Sequence, residues 1–171
     1  MLQPKLKLIK LLLLDVDGVL TNGQITYASG NVETKSFNVK DGLGIRLLQS
    51  AGVKVGIVTG RTSDALLHRC ADLGITMIYD GVNAKGELLE TVLSVSGFSP
   101  HEVAFVGDDL PDIPLLKKVG VSIAVADAHH LVKQNADMVT QNNGGCGAVR
   151  EVCEQILNAA GLWEKIVKTC I

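Results

Sequence analysis

The sequence predicts an α/β protein: a doubly wound (Rossmann-like), mostly parallel sheet with helices on both faces. Three observations lead there. The run Leu11-Leu12-Leu13-Leu14 is uninterruptedly aliphatic, as strands buried on both faces are. Short β-branched runs then alternate with helix-like stretches, the pattern of repeated βα units. Finally, 171 residues at 47% apolar and 20% charged suffice for one well-buried domain and are few for two. We therefore expect residues 1–171 to form a single domain.

The first strand stops abruptly at Asp15-Val16-Asp17-Gly18-Val19-Leu20-Thr21. Next, Gln24–Ala28, a Ser29-Gly30-Asn31 turn and Val32–Phe37 read as a β-hairpin over about 24–37. It follows the acidic strand end directly and should project over it. A lone two-stranded hairpin is marginal in water, so it needs the domain body or another copy of the chain as a partner. A helix at about Gly42–Ser50 leads to a strand at Val53–Val58, which ends in Thr59-Gly60-Arg61. Further strands are expected at Ile75–Tyr79, Val103–Val106 and Val121–Val125. Helices are expected at about Ser63–Leu73, Ala84–Val95, Pro111–Lys118, Ala128–Asn135 and Ala148–Ala159. Right-handed crossovers put all the strand ends on one edge, where such sheets bind ligands.

Composition excludes several classes. A net charge of −2 without a Lys/Arg tract offers no field for nucleic acid. Cys70, Cys146, Cys153 and Cys170 lack CxxC or metal-finger spacing and read as reduced thiols. The N-terminus resembles a signal peptide, but Lys5, Lys7 and Lys10 interrupt it, it ends in Asp15 and no small-residue cleavage site follows. No segment supplies the ~20 apolar residues of a membrane span. A cytoplasmic protein without membrane or nucleic-acid partners is expected.

Four strand ends carry the chemistry. Asp15 and Asp17 follow the first strand, Thr59 the second, Lys85 opens the helix after Tyr79-Asp80-Gly81, and Asp108, Asp109 and Asp112 follow Phe105-Val106-Gly107. Neighbouring carboxylates repel unless a cation or proton relieves them. Together these groups suit phosphoryl transfer. One carboxylate can attack phosphorus, and a second can protonate the leaving alcohol and then deprotonate water. A hard cation such as Mg²⁺ offsets the negative charge, while a hydroxyl and an ammonium hold the phosphoryl oxygens.

In order and in type, Asp15-Val16-Asp17-Gly18-Val19-Leu20-Thr21, Thr59-Gly60-Arg61, Lys85 and Gly107-Asp108-Asp109-Leu110-Pro111-Asp112 resemble the four motifs of haloacid dehalogenase-like phosphatases. The resemblance implies Asp15 as nucleophile, Asp17 as general acid/base, and Thr59 and Lys85 as phosphoryl ligands. It implies Mg²⁺ held by Asp15, Asp108 and the Asp17 backbone carbonyl, with Asp112 in the outer shell and Asp109 a further candidate ligand.

Nearly the whole chain is similar to the 3-deoxy-D-manno-octulosonate 8-phosphate phosphatases. The similarity rests on the hairpin, Phe37-Asn38-Val39-Lys40-Asp41-Gly42-Leu43-Gly44-Ile45, Val125-Ala126-Asp127-Ala128 and Gly144-Gly145-Cys146-Gly147-Ala148-Val149-Arg150-Glu151. These phosphatases are capless homotetramers that act in lipopolysaccharide precursor synthesis. The spacing agrees, because neither gap between Asp17, Thr59 and Lys85 has room for a cap domain. The resemblance further implies that a small phosphorylated sugar acid meets Arg46, Arg61 and Arg69, Gly60, and the stretch Asn38, Val39, Lys40, Asp41 and Gly42. Where those phosphatases often end in a glycine-containing tail, Trp163–Ile171 reads as a short helical extension.

Other readings bear on particular residues. Adjacent His129 and His130 point about 100° apart on a helix and do not make a metal site by themselves. His68 and His101 read as surface or packing residues. Gly144-Gly145-Cys146-Gly147 fits either an anion cradle or a turn before the last helix. A sibling activity on acylneuraminate 9-phosphate suits the same scaffold. Receiver domains also combine aspartates, Thr and Lys, but carry no acid/base two residues after the phosphoacceptor; a catalytically silent scaffold would not need intact motifs.

Overall fold

The computed structural model describes residues 1–30 and 32–168. Asn31, in the expected hairpin turn, and residues 169–171, the end of the expected extension with Cys170, lie outside them. The chain runs α1 (Leu2–Leu6), β1 (Leu11–Leu14), β2 (Thr26–Ala28), β3 (Val32–Thr34), α2 (Val39–Ser50), β4 (Lys54–Val58), α3 (Asp64–Leu73) and β5 (Met77–Tyr79). It continues α4 (Lys85–Ser96), β6 (Val103–Gly107), α5 (Ile113–Leu116), β7 (Val121–Ala124), α6 (His130–Gln134), β8 (Met138–Val139), α7 (Ala148–Ala159) and α8 (Trp163–Val167).

Six parallel strands form one sheet in the order β5-β4-β1-β6-β7-β8. β1 lies at its centre and all four of its leucines are fully buried, which is why an aliphatic run without alternation is stable there. The chain leaves β1 toward β4 on one side and returns to β6 on the other. Strand order therefore reverses at β1, the place where open α/β sheets form a crevice. Helices cover the sheet, with α2 packed on α7, α7 on α1 and α8, and α4 on α5. β2 and β3 form a separate antiparallel hairpin with Tyr27 opposite Glu33. Among the described residues, the hairpin, α2 and β4 are the elements between Asp17 and Thr59, and α3 and β5 those between Thr59 and Lys85.

Several boundaries differ from the sequence reading for local reasons. α2 starts at Val39 because Asn38 caps it, its Oδ1 accepting from Lys40 N at 2.8 Å. Gly42 and Gly44 had weakened the helical signal. The stretch expected as helix Pro111–Lys118 divides into a 3₁₀ turn, Leu110–Asp112, and a short α5, because Pro111 and Pro114 fit only a first turn. α6 is shortened to five residues behind His129, whose Nδ1 accepts from Leu131 N at 3.2 Å. α1, hidden among lysines, buries Leu6 completely. No helix of the described residues is long and apolar enough to cross a membrane.

Candidate active site

The acidic turn after β1 is shaped by its backbone. Asp15 N donates to Val106 O at 3.0 Å, which continues the sheet one residue further and lifts the Asp15 side chain onto its edge. Val16 O then accepts from the amides of Val19, Leu20 and Thr21 at 3.2, 2.9 and 3.0 Å, closing a tight turn. Gly18 adopts φ +88°, and a Cβ there would stand 2.1 Å from Asp108 Oδ2, so only glycine lets β6's acidic loop approach.

The Gly144-Gly145 turn braces this loop from outside. A Cβ on Gly144 would stand 1.7 Å from Gly18 O, and Gly145 N donates to Val19 O at 2.9 Å. Gly144 N is itself taken by Asp127 Oδ1 at 2.9 Å. Of the two readings of this turn, packing prevails over an anion cradle: the glycines give close backbone approach, and the Gly144 and Gly145 amides are engaged within the protein.

The four strand ends do converge. Asp15, Asp17, Thr59, Gly60, Arg61, Lys85, Asp108, Asp109 and Asp112 line one cleft of about 460 Å³. Lys85 Nζ lies 2.8 Å from Asp15 Oδ1 and 2.6 Å from Asp112 Oδ1. Asp112 turns its other oxygen to the amides of Asp108 (2.9 Å) and Asp109 (3.2 Å). Both its oxygens are thus engaged, so Asp112 fixes the lysine and the loop together. Thr59 is buried, its N–H donating to Tyr79 O at 2.9 Å, while its carbonyl accepts from Val82 N at 3.0 Å. Gly23, Val82, Asn83 and Pro111 also line the cleft; nothing in their residue types signalled it.

Charge in the cleft is unbalanced. Oxygens of Asp15, Asp108 and Asp112 lie within 4.8 Å of one another. Burial above all pushes the Asp15 carboxyl up to about 6, with Lys85 opposing and Asp112 reinforcing. Burial, then the charges of Asp15 and Asp112, push Asp108 up to about 8. Lys85 is raised by the two carboxylates it bridges, against the pull of burial. Asp108 Oδ1 is buried with no hydrogen-bond partner among the described residues. Crowded, hard oxygen donors with an orphaned buried oxygen fit a small divalent cation such as Mg²⁺.

Asp17 faces the hairpin. Lys35 Nζ bonds to its Oδ1, Arg61 Nε lies 3.6 Å from its Oδ2, and Glu33 binds both cations, Lys35 at 3.2 Å and Arg61 at 2.6 Å. The sequence reading missed Lys35 and Glu33. Their alternation with exposed neighbours along β3 and just past its end was the available signal, since residues two apart in an extended chain share a face.

The remaining expected residues lie elsewhere in the chain. Arg46, Arg69, Val39 and Gly42 line a separate cavity of about 210 Å³, with Arg46 Nη2 donating to Asp72 O at 2.8 Å and Arg69 Nη2 to Asn38 O at 3.2 Å. Lys40 is exposed on the first turn of α2. Asp41 is buried with its Oδ1 accepting Arg150 N at 2.8 Å, which makes it a tie between α2 and the start of α7 and not a lining residue of the cleft. Asn38 bridges to Gly145 O at 3.3 Å. The stretch 38–42 therefore supports the site loop from behind within one chain. His129 and His130 belong to no group of possible metal ligands among the described residues. Cys70 and Cys153 are free and buried, and burial pushes both thiols up; Cys146 is free and exposed.

Comparison with known proteins agrees with this arrangement. Residues 74–152 match the haloacid dehalogenase-like hydrolase family. The chain is 49% identical over 153 residues to the 3-deoxy-D-manno-octulosonate 8-phosphate phosphatase of Escherichia coli, covering 90% of this chain and 81% of that one. The Moraxella catarrhalis phosphatase of the same name, solved with magnesium, phosphate and KDO, superposes with a TM-score of 0.96 at 39% identity, covering 99% of this chain and 97% of that one. The cobalt-bound Haemophilus influenzae enzyme gives a TM-score of 0.90 at 42% identity, covering 93% of each chain.

Proposed function

The chain belongs to the 3-deoxy-D-manno-octulosonate 8-phosphate phosphatase family of haloacid dehalogenase-like hydrolases, and from that premise we propose that residues 1–171, as one domain, hydrolyse this sugar-acid phosphate to KDO and phosphate. The observation that carries the reading is the placement of Asp15 at the central strand end, with Lys85 Nζ 2.8 Å from it and Asp17 in the same cleft. Asp15, with Lys85 steering its free oxygen, attacks phosphorus and takes the phosphoryl group as an aspartyl phosphate. Asp17 gives its proton to the departing alcohol and then takes one from the water that hydrolyses the acyl phosphate. Lys85 and the Thr59 hydroxyl hold the phosphoryl oxygens as charge develops, and Asp112 keeps Lys85 aimed. Asp15, Asp108 and the Asp17 carbonyl hold Mg²⁺, whose charge offsets the repulsion between carboxylate and phosphate.

Gly60 and Arg61, at the cleft rim, meet the sugar acid; arginine suits its carboxylate as a planar fork. Asn38, Val39, Lys40, Gly42, Arg46 and Arg69 serve substrate only where a neighbouring subunit brings them to a cleft. That requirement fits a homotetramer joined through the hairpins, whose Ile25, Tyr27 and Val32 are exposed apolar side chains on an isolated two-stranded ribbon. A fully active monomer in light scattering at micromolar concentration would contradict it. We place the protein in the cytoplasm, where it supplies KDO for lipopolysaccharide precursors.

The test is steady-state hydrolysis of 3-deoxy-D-manno-octulosonate 8-phosphate and N-acetylneuraminate 9-phosphate, with and without Mg²⁺. The eight-carbon substrate should win by a large factor and only with the ion; preference for the nine-carbon acid would move the chain to the sibling activity. Asp17 separates this reading from a receiver-like phosphoacceptor, because a switch domain would retain its phosphate.

A further inference from the structure

The hairpin sends into the cleft an ammonium that the scheme above leaves without a role. Lys35 follows β3 and its side chain is only 1% exposed. Its Nζ bonds to Asp17 Oδ1 and lies 3.2 Å from Glu33 Oε1. Glu33 in turn draws Arg61 away: Arg61 Nη2 sits 2.6 Å from Glu33 Oε2, which leaves its Nε 3.6 Å from Asp17 Oδ2, beyond hydrogen-bond reach. Asp17 Oδ2 is thereby without a hydrogen-bond partner among the described residues, although it is buried at the cleft. One oxygen of this carboxylate is anchored and the other is left unpaired.

A lysine serving only to pin the hairpin would gain little from such a place. Exposed ion pairs contribute little and could sit anywhere along the strand, whereas burying an ammonium costs desolvation that only close partners offset. Asp17 stands on an irregular turn, not on a strand or helix, so its own backbone restrains the side chain weakly. Proton transfer is sensitive to placement: an error of about 1 Å in a reacting group costs about 10²-fold in rate.

We propose that Lys35 is a positioning residue for the reaction: it anchors Asp17 through Oδ1 so that Oδ2 faces the leaving-group oxygen, with Glu33 holding both Lys35 and Arg61 in register. The inference rests on the reading of Asp17 as general acid/base. It also makes the hairpin part of the catalytic machinery of its own subunit, in addition to any contact between subunits.

The experiment compares Lys35→Met, Lys35→Arg, Glu33→Gln and Asp17→Asn on two substrates, using kcat/KM because it reports the steps up to release of the first product. A sugar-acid phosphate has an alkoxide leaving group that needs a proton, whereas p-nitrophenyl phosphate does not. Lys35→Met should lose about 10²-fold on the sugar-acid phosphate and several-fold at most on the aryl ester, at unchanged Mg²⁺ affinity and at a temperature where the variant is fully folded. Lys35→Arg should recover most of the loss. Equal losses on both substrates, or none on either, overturn the proposal. Should Lys35→Met fail to fold, Glu33→Gln decides by the same selectivity, its loss being smaller. Asp17→Asn separates the two levels: if it retains full sugar-acid hydrolysis, the acid/base reading itself fails; if it is selective and Lys35→Met is not, only the positioning role fails.

Discussion

Gly18 and Asp108 share their space to within one carbon atom: a Cβ on the glycine would stand 2.1 Å from Asp108 Oδ2. Two loops from adjacent strands therefore meet through a residue that has no side chain. At φ +88° the backbone also excludes an ordinary residue. Gly18→Ala should push Asp108 out of the cluster, weaken Mg²⁺ binding by at least about tenfold, a loss of about 1.4 kcal/mol, and lower stability by about 1–3 kcal/mol. Calorimetric titration of Mg²⁺ and urea unfolding check both; unchanged Mg²⁺ affinity would contradict the geometry.

Asp112 accepts on both oxygens, from Lys85 Nζ on one and from the Asp108 and Asp109 amides on the other. In Asp112→Asn, whichever way the amide turns, an NH₂ faces a donor. We expect a loss of about 1–3 kcal/mol in stability and of about 10²-fold in kcat as Lys85 loses its aim. Wild-type turnover in this variant would show that Lys85 needs no partner besides Asp15.

Proton binding by the acidic cluster gives a pH dependence of fixed sign. Burial, reinforced by neighbouring carboxylates, pushes Asp15 up to about 6 and Asp108 up to about 8, above the ordinary carboxyl value of 3.8. The native state thus binds more protons than the unfolded chain in this interval, so stability falls as pH rises from about 4 to about 8. Lys85 stays charged throughout and adds no slope. In EDTA the melting temperature should fall by at least about 3 °C between pH 5 and pH 8. Saturating Mg²⁺ should reverse that trend, because the cation replaces the protons. A flat profile in EDTA would contradict the cluster electrostatics.

Asp41 ties two helices, with its Oδ1 on Arg150 N at 2.8 Å. Asp41→Ala leaves that half-buried amide unpaired and should cost about 1–3 kcal/mol in urea unfolding. The folded variant should keep the wild-type KM for the sugar-acid phosphate, because the side chain does not line the cleft of its own chain. A large rise in KM without loss of stability would restore Asp41 as a substrate contact.

The central part of the fold was readable because its residues carry one-dimensional signals. Four leucines before Asp15 read as a strand buried on both faces, and β4, β5 and β6 are followed at once by Thr59, Asp80 and Asp108, polar residues that mark the strand ends. Legibility failed where meaning depends on a partner distant in the chain. Gly144 is explained by Gly18 O, Asp41 by Arg150 N and Lys35 by Asp17, and no local pattern announces those meetings. β8, at two residues, is too short to show a period, and α1 is hidden by its lysines. Arg46 and Arg69 were expected with the substrate, yet they line another cavity of the same chain, because resemblance carries residues over without saying which subunit's site they serve.

A carboxylate oxygen of Asp15 receives phosphorus in the proposed reaction. The most direct test of this is an acid-quenched reaction of the Asp17→Asn protein with an aryl phosphate and Mg²⁺, followed by borohydride reduction and peptide mass spectrometry. Without Asp17 to activate water, the acyl phosphate should persist, and reduction should convert Asp15, and no other residue, to homoserine. Stoichiometric release of the aryl alcohol with Asp15 unmodified, or with the phosphoryl group on another side chain, would contradict it.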